Sequence, residues 1–130
     1  MTGTLDGGNV DLLKGVCVLI VEDAWQVAKA LKSVLEQMGM HVVGPTATTA
    51  QARDLAAAQR PKLAIVDINL KQETSHGLID ELHEQGVQII VISGYAAPSV
   101  SADSVAATLQ KPFSGSELIA TMNRVVASTR

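Results

Sequence analysis

The chain has 130 residues, 47% of them hydrophobic and 2% aromatic, and ten Lys+Arg against thirteen Asp+Glu leave a formal charge of −3. That length fits one domain with an aliphatic core that needs neither disulfides nor a structural metal. The lack of a dense basic cluster argues against a nucleic-acid partner, and no apolar stretch is long enough to span a bilayer.

Residues 1–14 hold three glycines and no apolar h-region, so they read as a flexible leader rather than a signal peptide. The first apolar run, Val16–Val21, contains the single cysteine, Cys17, which reads as a small buried hydrophobe in a reducing, cytoplasmic compartment. Asp23 and Gln26 have the spacing of a capping box for a helix whose apolar stripe is Ala28, Leu31, Leu35 and Met38, with Gly39 as its stop. A short strand, His41–Gly44, precedes the turn signal Gly44-Pro45. An Ala-rich helix over Ala47–Gln59 ends at Arg60-Pro61, because the residue before proline disfavours helix. Leu63–Asp67 is the third strand, and a polar loop, Lys71–Ser75, leads to a helix over Gly77–Gln85 with Leu78, Ile79 and Leu82 inward. Val87–Ile92 is the fourth strand, Tyr95–Ser104 predicts at most a short weak helix, and Val105–Leu109 is the fifth strand. Ser114 and Glu117 form a capping box for a last helix that carries Leu118, Met122, Val125 and Val126 on one side. The alternation predicts α/β: a five-stranded parallel sheet, doubly wound, of (βα)5 organisation.

Ligands of open parallel sheets bind outside the carboxyl ends of the strands. Those ends carry Glu22-Asp23, Asp67, Ser93-Gly94 and Lys111-Pro112. Alone, each has a plain explanation: an acidic pair suits a helix N-terminus, and Ser-Gly is ordinary turn chemistry. Together they supply what phosphoryl transfer to a carboxylate requires. Three carboxylates suit a hard divalent cation, Asp67 can attack phosphorus, and Lys111 and the Ser93 hydroxyl can meet the phosphoryl oxygens.

With Val-Leu-Ile-Val-Glu22-Asp23, Ala-Ile-Val-Asp67-Ile-Asn-Leu, Val-Ile-Ser93-Gly and Gln-Lys111-Pro112-Phe113 in order, the sequence resembles the receiver domain of two-component response regulators. The resemblance covers about Val16 to Val126 and implies a flavodoxin-like receiver domain over residues 15–130. It implies that Asp67 takes a phosphoryl group from a histidine kinase or phosphotransfer protein. It also implies that Asp23, Asp67 and the Asn69 carbonyl hold Mg²⁺ or Mn²⁺ with Glu22 assisting, that Ser93 and Lys111 engage the phosphoryl group, and that Lys111–Pro112 is cis. The expected downstream partner is a protein of unknown identity, not nucleic acid or membrane, and the expected state is a monomer or weak dimer.

Thr108 stands where most receivers carry an aromatic switch, and Tyr95, two residues beyond Ser93, is the candidate replacement. Ser93 and Lys111 are 18 residues apart, about one helical turn less than in most receivers. The Ser-Gly-Tyr arrangement is similar to an alphaproteobacterial subgroup of single-domain receivers whose members commonly work with HWE-class kinases. Two rivals are weighed against this reading. A phosphohydrolase of the haloacid dehalogenase type would need Asp where Asn69 stands, and a phosphate-independent binding module would not need the full acidic, Ser and Lys set. His76 and His83 are assigned to a solvent face, His41 to structure, Trp25 to packing near the rim, and Met38, Met40 and Met122 to the core.

Overall fold

The computed structural model describes residues 12–70, 73–94 and 102–128. Its elements in chain order are β1 (Cys17–Val21), α1 (Trp25–Gln37), β2 (His41–Thr46), α2 (Thr49–Gln59) and β3 (Leu63–Asp67). There follow a small hairpin of β4 (Asn69–Leu70) and β5 (Glu73–Thr74), then α3 (His76–Glu84) and β6 (Gln88–Ser93). A 3₁₀ turn at Ala102–Ser104, β7 (Ala107–Gln110) and α4 (Gly115–Ser128) complete the described chain.

The main sheet is parallel, in the order β2-β1-β3-β6-β7. Strands covered on both faces read as continuous apolar runs, and β3 is buried at every residue. Alternation of side chains divides the core into two layers. Leu19, Val21, Ala64, Val66, Ile89 and Val91 pack with Ala52 and Ala56 of α2 and Leu78, Ile79 and Leu82 of α3. Val18, Ile20, Leu63, Ile65, Ile90 and Ile92 pack with Leu31 and Leu35 of α1 and Leu118, Met122 and Val125 of α4. This is the doubly wound α/β arrangement that the sequence predicts. The order reverses between β1 and β3, so the topological switch point lies where Glu22-Asp23 and Asp67 emerge.

Several expectations need correction. Leu13, assigned to the leader, is fully buried in the layer under α1 and α4, so the packed domain reaches back at least that far. The N-cap of the first helix is not Asp23, as the expected box would have it. Ala24 is the N-cap of α1 and has no side-chain cap; its N–H instead donates to Glu22 Oε2 at 3.1 Å. α2 begins two residues later than expected, because the Thr48 hydroxyl accepts from the Gln51 N–H. β2 continues through Gly44 and Pro45 to Thr46, joined by a cis Gly44–Pro45 peptide. A side chain at Gly44 would meet the Thr46 nitrogen at 3.0 Å and the Ile20 carbonyl at 3.1 Å, and its φ of +89° suits glycine. Trp25 does not pack at the rim; it is 69% exposed, with the Lys29 ammonium 5.7 Å above its ring. His76 is half-buried, with a buried Nε2 that has no hydrogen-bond partner, so it does not share a solvent face with His83.

The box at the last helix is present as read: the Ser114 N–H donates to Glu117 Oε1 and the Glu117 N–H to Ser114 Oγ, both at 3.0 Å. The weak helix expected over Tyr95–Ser104 lies mostly outside the described residues, and its end is the 3₁₀ turn. Among the described residues no helix is long and apolar enough to cross a membrane.

Candidate metal and phosphoryl site

β1 ends in an acidic pair of which Glu22 is 2% exposed and Asp23 half-buried, while β3, its neighbour, delivers Asp67 at 5% exposure. One carboxylate oxygen from each of the three lies within 4.8 Å of the others. Three anions so placed repel one another. Lys111, just past β7, answers part of that charge: its ammonium lies 3.0 Å from Glu22 Oε1 and 3.2 Å from Asp67 Oδ2. The Lys111 N–H donates to the Ser93 carbonyl at 2.8 Å, which ties this end of β7 to β6; the Lys111–Pro112 peptide is cis, as expected.

Burial, and then the close Asp67 carboxylate, push the Glu22 carboxyl above its ordinary range. Burial also pulls the Lys111 ammonium down, but the bonds and charges of Glu22 and Asp67 outweigh it and hold Lys111 above its ordinary value. Glu22 Oε1 is buried and is met by the Lys111 ammonium, which it shares with Asp67. One ammonium shared between two of three converging carboxylates leaves part of the negative charge unanswered, which a bound cation would relieve. The donor set is all hard oxygen and the three carboxylates converge, so these residues fit Mg²⁺ or Mn²⁺.

The loop after Asp67 folds back on it. The Asn69 N–H donates to Asp67 Oδ1 at 3.0 Å, which puts the Asn69 backbone beside the acidic cluster while its side chain is exposed. Ser75, fully buried, donates its hydroxyl toward the Asp67 carbonyl at 2.6 Å and lies 3.1 Å from that of Ile68. Sequence reasoning passed over Ser75 as the end of a polar loop; a single hydroxyl gives no periodic signal to mark it. Ser93 closes β6 at 2% exposure, one residue past the Asp67–Ile92 pair and opposite Gln110. Glu22, Asp23, Asp67, Asn69, Ser93 and Lys111 are thus gathered at one rim. Tyr95 lies outside the described residues.

Comparison with known proteins gives the same picture. The family described as response regulator receiver domain matches residues 18–123. The photosynthetic apparatus regulatory protein RegA of Rhodovulum sulfidophilum is 30% identical over 111 residues, covering 81% of this chain and 60% of that protein. The chain spans between 42% and 60% of the length of the curated relatives it matches. Among solved structures, the response regulator PhyR from Brucella abortus superposes with a TM-score of 0.78 at 20% identity, over 96% of this chain and 54% of that one. The receiver domain of the sensor histidine kinase PA1611 from Pseudomonas aeruginosa, which has a magnesium ion in its active-site cleft, gives 0.76 at 25% identity, over 87% and 98%.

Proposed function

The chain belongs to the response regulator receiver domain family of two-component systems, and from that premise we propose that it accepts a phosphoryl group on Asp67 and signals through contact with other proteins. The donor is a phosphohistidine of a histidine kinase or phosphotransfer protein. An Asp67 carboxylate oxygen forms the new bond to phosphorus as the phosphorus–nitrogen bond of the donor breaks, and the leaving imidazole keeps the electron pair. The observation that carries this reading is the position of Asp67. It stands at the switch point, nearly buried, between two further carboxylates and an ammonium.

Asp23, Asp67 and the backbone at Asn69 would hold Mg²⁺, with Glu22 assisting. Bound there, the cation supplies positive charge that screens the carboxylates and the phosphoryl oxygens. Lys111 exchanges one anionic partner for another: released from the full pull of Asp67, its ammonium meets a phosphoryl oxygen, a charge-assisted contact roughly twice as strong as a neutral hydrogen bond. The Ser93 hydroxyl, one residue beyond the strand pair that contains Asp67, donates a further hydrogen bond to the phosphoryl group.

Incubation with Mg²⁺ and acetyl phosphate or phosphoramidate, followed by intact mass measurement, tests the reading. The expected result is a gain of one phosphoryl group that is abolished by chelation and by Asp67→Asn and strongly reduced by Lys111→Ala. Full labelling of Asp67→Asn would refute it.

A further inference from the structure

The backbone that follows Asp67 is fastened to the neighbouring helix by contacts the phosphoryl chemistry does not use. Asn69 and Leu70 pair with Thr74 and Glu73 in the β4–β5 hairpin, so the strand carrying Asn69 is held by a partner of two residues. A two-stranded hairpin that short does not hold its own shape in water. Its returning strand, however, is tied to α2. Glu73 Oε2 accepts the Thr49 backbone N–H at 2.9 Å, and Glu73 Oε1 accepts the Thr49 hydroxyl at 2.6 Å. Thr49 is the first residue of α2 and is buried, so its N–H has no partner within the helix. A carboxylate at that end also meets the positive pole of the helix dipole. The Thr49 hydroxyl, and then its N–H, keep the Glu73 carboxyl below its ordinary range, which leaves it ionised at neutral pH. One turn along α2, Arg53 donates to Thr49 Oγ1 at 3.3 Å and pairs with Glu81 of α3 at 2.5 Å, bracing the anchor from behind.

We propose that Glu73 and Thr49 are positioning residues for the metal and phosphoryl site: their two-bond clamp fixes the β4–β5 hairpin against α2, and the hairpin fixes the Asn69 backbone against Asp67. The clamp touches no reacting atom and acts through the Asn69–Asp67 bond. With it, the backbone at Asn69 is in place before the cation arrives; without it, cation binding must order the hairpin first and loses affinity accordingly. The proposal rests on the reading of Asp67, Asp23 and Asn69 as the cation site.

Calorimetric titration of the full chain with Mg²⁺ alone tests it, on wild type, Glu73→Ala, Thr49→Ala and the double variant. Thr48→Ala serves as control, because Thr48 caps the same end of α2 through the Gln51 N–H. Glu73→Ala should weaken Mg²⁺ binding roughly tenfold, the low end of what partners that orient metal ligands contribute. Thr49→Ala, which keeps the N–H bond, should weaken it less, and the double variant no more than Glu73→Ala, since both remove one shared contact. Amide exchange of residues 68–70 and 73–75 should also speed up in metal-free Glu73→Ala. Wild-type affinity in a folded Glu73→Ala would overturn the clamp and leave the Asp67 reading standing. An equal loss in Thr48→Ala would assign the effect to helix fraying and overturn it as well. Absence of saturable Mg²⁺ binding by the wild type would instead overturn the Asp67 reading, and the clamp with it.

Discussion

Glu22 is the residue whose chemistry is least comfortable in the metal-free protein. It is buried, it shares the Lys111 ammonium with Asp67, and burial followed by the contact with Asp67 raises its pKa above the ordinary 4.5. A carboxyl raised in this way favours the fold while protonated; that contribution is present below the ordinary value and is lost as pH rises through the raised one. At neutral pH the ionised Glu22 therefore weighs against the metal-free fold. Glu22→Gln should stabilise the protein at neutral pH in a chelator, and the advantage over wild type should shrink as pH falls toward 4.5. Urea unfolding across that range reads both. With Mg²⁺ present the advantage should vanish, because the variant has given up an anion the cation needs. A variant less stable than wild type in chelator at neutral pH would mean that the Lys111 pair outweighs the burial of the charge. The sign for Lys111 is different in its window: its pairing contributes fully below 10.5 and is lost only as pH rises through its higher folded value. The ammonium itself stays charged over the range in which Glu22 titrates, although protonation of Glu22 removes one of its two anionic partners.

Among the elements, those announced by repeated side chains were legible and those fixed by single contacts were not. Leu63–Asp67 was bounded to the residue, because five consecutive buried positions on a central strand leave an unbroken apolar signal. The inward set of α3, Leu78, Ile79 and Leu82, followed from helical spacing alone. Glu22, Asp23, Asp67, Ser93 and Lys111 were legible as a site because each closes a strand, and a parallel sheet sends all such ends to one rim. Boundaries set by one hydrogen bond went astray. α1 starts at Trp25 with Ala24 as its N-cap, one residue later than an Asp23 cap would set it, and the Ala24 N–H donates to Glu22; β2 runs on through Pro45 as an edge strand, where a missing N–H is tolerated. The β4–β5 hairpin had no pattern to reveal it, being two residues on each side. The last helix was the reverse case, since Ser114 and Glu117 satisfy each other's backbone groups reciprocally. Ser114→Ala should therefore cost about 1 kcal/mol, the usual loss for an N-cap hydroxyl. Chemical unfolding with an unchanged denaturant slope would verify it; a cost near zero would mean that packing of Leu118, Met122 and Val125 alone sets this helix.

At the level of the whole molecule, two apolar layers meet at a sheet whose carboxyl-end rim gathers the charged groups. The layer under α1 and α4 includes Leu13, which the sequence hid behind a glycine-rich, polar stretch without periodicity. Its complete burial makes it part of the fold: Leu13→Ala should cost about 2–5 kcal/mol, as other buried leucines do, without touching the rim. A loss below about 0.5 kcal/mol, the range of surface substitutions, would detach the segment from the core. The rim itself makes the sharper claim, that one carboxylate among three bonds to phosphorus. An acyl phosphate is reduced by borohydride to the alcohol, so a phosphorylated aspartate is recovered as homoserine at its own position. Phosphorylation in the presence of Mg²⁺, borohydride reduction and peptide sequencing should find homoserine at position 67, and none when the cation is chelated. Homoserine at position 23, or a stable phosphoryl group on a side chain other than Asp67, would contradict the account.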